Sequence, residues 1–163
     1  MITRRSALLW FSAALLAGCG EDKKTVKLMP AVPFDKHDRC HLCGMVIAHY
    51  DGPKAEVFLK NIDEAVKFCS VRDAFTFVLQ PENARRLHTF YVHDMSGADW
   101  EKPEKLIDAK SAYFVYGSAK EGVMGVEPVP FADKSAAETF MKAQGGSILR
   151  YDEITLKRLS EDK

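Results

Sequence analysis

The sequence predicts an α+β fold, two similar ββαβ halves sharing mostly antiparallel sheet packing, at about residues 39–106 and 107–163. Three observations predict it. Two helices begin at side-chain caps just after short apolar runs: Ser70 to Asp73 has the S-x-x-D form, and Asp133 opens Lys134 to Ala143. Each helix is followed by another short apolar run of strand character. Phe68, Ala74 and Phe77 are spaced by six and three residues, and Phe131, Ala137 and Phe140 repeat that spacing. Each set begins on a strand and continues onto the next helix, the simplest mark of a duplicated unit.

The elements follow in order. Met29 to Phe34 is extended, because each proline biases its predecessor toward β or polyproline conformation. Met45 to Ala48 reads as a strand, His49-Tyr50-Asp51-Gly52-Pro53 as a turn, and Ala55 to Leu59 as a second strand, which puts Cys40 to Met45 at the head of a hairpin. Ala65 to Phe68 is a third strand. The helix continues through Ala74 to Leu79, and Pro81 ends it. Leu87 to His93 alternates as a strand; Met95 to Lys105 is a loop. Ala112 to Gly117 is an aromatic-rich strand whose Tyr113, Phe114 and Tyr116 belong to the core. Ser118 to Gly125 is a loop holding Met124. Val126 to Phe131 carries two prolines and belongs at a sheet edge. Gly145-Gly146 stops the second helix, Ser147 to Arg150 is a strand, and Asp152 to Leu159 forms a last helix.

A chain of 163 residues holds one domain, or two small halves sharing a core. Lys plus Arg and Asp plus Glu are balanced at 23 each, without the basic excess of a nucleic-acid surface. No Ser-His-Asp order, carboxylate pair or phosphate loop marks a catalytic site.

The first 18 residues read as a secretory signal: basic Arg4-Arg5, an apolar stretch from Ser6 to Leu16, then Ala17-Gly18 before Cys19. The apolar stretch is too short to span a bilayer. Leu16-Ala17-Gly18-Cys19 resembles the lipobox of bacterial lipoproteins. That resemblance implies cleavage before Cys19 and acylation of its thiol, and more than one acyl chain anchors a protein stably in a bilayer. Arg4-Arg5 also hints at twin-arginine export. Cleavage leaves 21 basic and 23 acidic residues. Residues 19–38 read as the lipidated cysteine and a flexible tether, ahead of a domain over 39–163.

The chemistry concentrates in Cys40-His41-Leu42-Cys43-Gly44-Met45. Thiolates and thioethers are soft ligands that select copper(I), zinc or iron–sulfur clusters. Methionine is not among the usual zinc ligands, which favours copper(I). Cys43 and Met45 point to one side of an extended backbone and can converge on one ion. Other readings stay open: half a zinc site lacking its second Cys/His pair, a thioredoxin-like redox pair outside its usual helical context, or a structural disulfide. After lipidation of Cys19 the remaining cysteines are Cys40, Cys43 and Cys69, an odd number. Cys69 reads as a core thiol, since free cysteine is among the most buried residues. His41 is a candidate third ligand. His37, His49, His88 and His93 read as surface or turn residues, and Met95 as at most a second weak soft site.

At these residues the chain resembles the NosL family, accessory lipoproteins of nitrous oxide reductase. The resemblance rests on the lipobox Cys19, on Cys43-Gly44-Met45, on Gly52-Pro53-Lys54-Ala55-Glu56-Val57-Phe58-Leu59, and on Met124-Gly125 through Pro130-Phe131. It implies a periplasmic, membrane-anchored copper(I) chaperone that supplies the copper–sulfide cluster of nitrous oxide reductase and is not an enzyme. The implied partners are the reductase and the ABC-type membrane assembly complex of the same system. Cys43 and Met45 match the family's copper-binding pair, and Met124 a recurrent methionine; Cys40 is an additional thiol. The alternative from the residues alone is a membrane-anchored thiol–disulfide oxidoreductase using Cys40 and Cys43.

Overall fold

The structure, a computed structural model, describes residues 29–161. The expected signal peptide and the expected lipidation site Cys19 lie outside the described residues. Among those described, no helix is long and apolar enough to cross a membrane.

The strands are β1 (Ala55–Leu59), β2 (Val66–Phe68), β3 (Leu87–His93), β4 (Leu106–Asp108), β5 (Tyr113–Tyr116), β6 (Val129–Phe131) and β7 (Ser147–Leu149). The helices are α1 (Val71–Val78), α2 (Pro81–Arg86), α3 (Lys134–Gln144) and α4 (Leu156–Glu161). Two antiparallel sheets result, in the orders β2-β1-β3-β4 and β6-β5-β7. In each, a central strand pairs with the next strand on one side. On its other side it pairs with the strand that returns after a helix. The predicted ββαβ repeat is therefore present in both halves, with β4 added to the edge of the first sheet. The echoed residues occupy matching places: Phe68 and Phe131 end the second strand of each unit, and Ala74 and Ala137 are fully buried on the helices.

The two units share a core. Phe75 on α1 meets Phe90 of β3 and Phe114 of β5, with ring centroids 5.1 and 5.2 Å apart, and Tyr151 at 5.4 Å. Leu149, Ile154 and Leu159 close the same cluster. A second, smaller cluster under α3 gathers Val115, Val129, Phe131 and Ala137 around Met95. Met95 is thus a core residue rather than a soft surface site. Its backbone N–H donates to Pro130 of the second unit.

β1 is buried along its whole length. Ala55, Val57 and Leu59 face the main core, while Glu56 and Phe58 alternate to the other face. That other face is covered by residues 29–38. Met29 donates its N–H to Thr89 Oγ1 and accepts from the Tyr91 hydroxyl, and Val32 N–H donates to Glu56 Oε1. Lys67 reaches back to the Pro33 carbonyl and the Asp38 carboxylate. The described part of the expected tether, 29–38, is therefore docked chain.

Several local expectations are corrected. Met45 to Ala48 is not a strand: Val46 makes an isolated bridge with Arg39, and Ile47–His49 is one 3-10 turn. Pro81 does not only end a helix; it occupies the first turn of α2, where its missing N–H has no helical partner to lose. β4 falls within a stretch given no element. His93 is buried rather than at the surface. Its Nδ1 accepts from the Lys54 N–H, its ring packs on Phe34, and burial holds its pKa down at about 4.

Phe75 joins both sheets, so Phe75→Ala is expected to destabilise the whole chain by about 3–5 kcal/mol. A single cooperative urea transition shifted to lower midpoint is the expected result. A loss confined to one of two separable transitions would mean that the halves do not share this core.

Candidate metal centre

The site is built at the junction of β2 and α1. Ser70 caps α1 by accepting the Asp73 N–H at 2.9 Å, as the S-x-x-D pattern anticipates. The cap fixes the backbone on both sides of it: Cys69 precedes it, and Asp73 is the third helical residue. Both side chains are buried.

The segment Cys40 to Met45 folds over this junction as a tight turn. Cys40 N–H donates to the Met45 carbonyl and Gly44 N–H to the Cys40 carbonyl, both at 2.8 Å. Gly44 has φ +76°, a conformation that costs other residues more. His41 N–H donates to the Lys67 carbonyl of β2 at 2.9 Å and pins the turn to the sheet. The His41 ring packs edge-on against Phe77 and Phe68.

The result is a convergence of donors. Cys40, Cys43, Cys69 and Asp73 each present one ligand atom, all within 4.8 Å of one another. Cys43 Sγ lies 3.5 Å from Cys69 Sγ. Cys40 Sγ and Cys69 Sγ lie 3.5 and 3.7 Å from Asp73 Oδ2. Cys40 and Cys69 are 2% and 0% exposed, whereas Cys43 is open to solvent. All three are free thiols. The C-x-x-C turn does not open a helix, so it lacks the geometry expected of a thioredoxin-like pair.

The electrostatics are those of a crowded acidic cluster. The hydrogen bond from Cys69 pulls the Cys40 thiol down to about 4. The same hydrogen bond, together with burial, pushes Cys69 strongly up. Burial also raises Cys43. Burial, then the nearby Cys40 charge, lifts the Asp73 carboxyl to about 6.

Of the sequence candidates, Cys43 stands at the exposed mouth of the cluster. Met45 follows it half-buried, packed against the main core. Met124 is exposed in the 122–125 loop of the second unit, lining a cleft with Asp73, Arg72 and Glu121. Cys69 is buried as expected, but it also faces the cluster. Asp73 was visible only as a capping-pattern acid. The odd thiol count was the one signal that Cys69 had a use beyond packing.

A buried acid links the second unit to this junction. Glu127 Oε1 accepts the Val71 and Arg72 N–H groups at the start of α1. Its Oε2 has no partner among the described residues and lies against Gly122, where a Cβ would stand 2.4 Å away. Burial raises the Glu127 carboxyl to about 8.

The family described as NosL matches residues 31–159. The chain is 40% identical over 148 residues to the copper-binding lipoprotein NosL of Stutzerimonas stutzeri, covering 90% of this chain and 77% of that one. It is 36% identical over 158 residues to the copper-binding lipoprotein NosL of Achromobacter cycloclastes, covering 93% and 80%. Its fold matches the crystal structure of the copper chaperone NosL from Shewanella denitrificans with a TM-score of 0.78 at 41% identity, over 80% of this chain and 99% of that one. The solution structure of apo-NosL from Achromobacter cycloclastes matches with a TM-score of 0.51 at 35% identity, over 65% and 88%.

Two outcomes are expected of the apo protein. In the reduced folded chain, iodoacetamide should alkylate Cys43 at least about tenfold faster than Cys40 or Cys69, followed by peptide mass spectrometry. Equal labelling of all three would contradict the buried cluster. The second concerns Glu127, whose folded pKa lies above its ordinary value of 4.5. Its contribution to stability is full below pH 4.5 and is lost as pH rises through about 8, because only the unfolded chain ionises freely in between. Glu127→Gln should therefore raise Tm relative to wild type at pH 8.5 and gain least at pH 4.5. A Tm difference independent of pH would show that Glu127 does not titrate in this way.

Proposed function

The chain belongs to the NosL family, and on that footing we propose that it is a copper(I) carrier, not an enzyme, that serves assembly of the copper–sulfide cluster of nitrous oxide reductase. The observation that supports the reading is the junction of soft donors, with one thiol exposed on a glycine turn and two more directly beneath it. Soft sulfur donors suit copper(I). Cys43 is the ligand at the mouth, and the thioethers of Met45, two residues on in the same turn, and of Met124, in the cleft beside Asp73, are the weaker donors. A carrier must retain its ion yet yield it on contact. Low coordination leaves a position for an incoming ligand from the acceptor, which a closed four-ligand site would not.

Acylation at Cys19 would hold the domain at the periplasmic face of a membrane. There it could meet the reductase and the ABC-type assembly complex.

The test is genetic. A strain lacking the gene, grown on nitrous oxide under copper limitation, should accumulate that gas and yield reductase short of copper. The wild-type gene should restore both, and Cys43→Ser should not. Fully loaded, active reductase in the deletion strain would overturn the proposal.

A further inference from the structure

We propose that copper(I) rests in a three-thiolate site formed by Cys40, Cys43 and Cys69, rather than on the Cys43–Met45 pair, and that Cys43 is the ligand exchanged during transfer. The inference rests on the copper-carrier reading and assigns its ligand set.

Three observations lead to it. The sulfurs come from separate parts of the chain: two from the turn over 40–45, one from the junction between β2 and α1. They still share one small volume with Asp73. Buried free cysteine ordinarily packs against apolar groups. Here Cys40 and Cys69 are instead turned toward a carboxylate and toward Cys43. A buried carboxylate is costly unless satisfied, and the fold has kept one where two thiols lie within reach as its donors.

The set also suits a trigonal copper(I) centre. Three thiolates fill low coordination without a fourth ligand. Asp73 offers hard oxygen, which copper(I) does not select. It serves as the acceptor that orients Cys40 and Cys69 while the site is empty.

Burial divides the labour. Cys40 and Cys69 have no access to solvent, so an acceptor cannot reach them directly. Cys43 is exposed and flanked by Gly44. Transfer is then a ligand substitution without change of oxidation state. A donor atom of the acceptor bonds to copper at the open face, and the copper–Cys43 bond breaks. The released thiolate takes a proton from solvent. Substitution at the two buried sulfurs follows as copper leaves through the open face at Cys43.

The test uses the full-length protein in detergent, reduced and anaerobic, loaded with one equivalent of copper(I). X-ray absorption at the copper edge should show three sulfur neighbours. In competition with a chromogenic copper(I) chelator, Cys40→Ser and Cys69→Ser should each weaken retention by at least about tenfold, and Met45→Leu by no more than about threefold. The near-ultraviolet thiolate-to-copper band should fall in each Cys→Ser protein and persist in Met45→Leu. Cys69→Ala guards against a serine that disturbs the core, and the wild-type spectrum decides the matter even where a variant does not fold. Should Cys40→Ser and Cys69→Ser hold copper as wild type does, while Cys43→Ser and Met45→Leu lose it, the three-thiolate set is wrong and the carrier reading stands. A wild-type protein that takes zinc but no copper(I) overturns both.

Discussion

The capped start of α1 is the point on which the site and the joining of the halves both depend. Ser70 turns the chain from β2 into the helix, and that single hydrogen bond to the Asp73 N–H fixes where Cys69 ends and Asp73 begins. From the other unit, the Glu127 carboxyl takes the two preceding orphan N–H groups of the same helix, those of Val71 and Arg72. Phe75, one turn further along, then packs against strands of both sheets. A helix start satisfied by residues of both units leaves little freedom for one half to move against the other, and the soft donors lie directly on it.

The duplication explains why only one such site exists among the described residues. Matching the two units through Phe68 and Phe131 sets Ala132 opposite Cys69, Asp133 opposite the cap Ser70, and Ala136 opposite Asp73. The second unit keeps the cap, because a helix must start there, but carries methyl groups where the first carries a thiol and a carboxylate. Its role is instead supplied by the loop before β6, which sends Glu127 under α1 and places Met124 at the cleft beside Asp73. One copy holds the donors; the other closes the core beneath them.

Much of the fold was legible because its signals are local. The caps, the Gly145 stop with φ +76°, the aromatic strand and the repeat spacing all depend on neighbours in sequence. The misses came from interactions that are not local. Met45 to Ala48 has strand-like residues, but the Cys40–Met45 hydrogen bond and the attachment of His41 to Lys67 close the segment into a turn. β4 is three residues long and exists because β3 has an open edge. His93 looked like a loop histidine and became buried because residues up to Phe34 dock over it. At the site, Cys43 was legible through its motif. Cys69 was assigned to the core by a correct argument about burial that carried no information on what it faced. Asp73 was hidden by its helix-start pattern, since the residue type that favours the first turn is also the one that meets the thiols.

The distribution of exposure across the three thiols bears on their reactivity. Oxidation follows thiolate character and access together. Cys40 is the most acidic of the three, yet it is 2% exposed and enclosed by the turn. Cys43 is open to solvent, but desolvation raises its pKa. The acidity and the access that would together make a vulnerable thiol are thus divided between two residues.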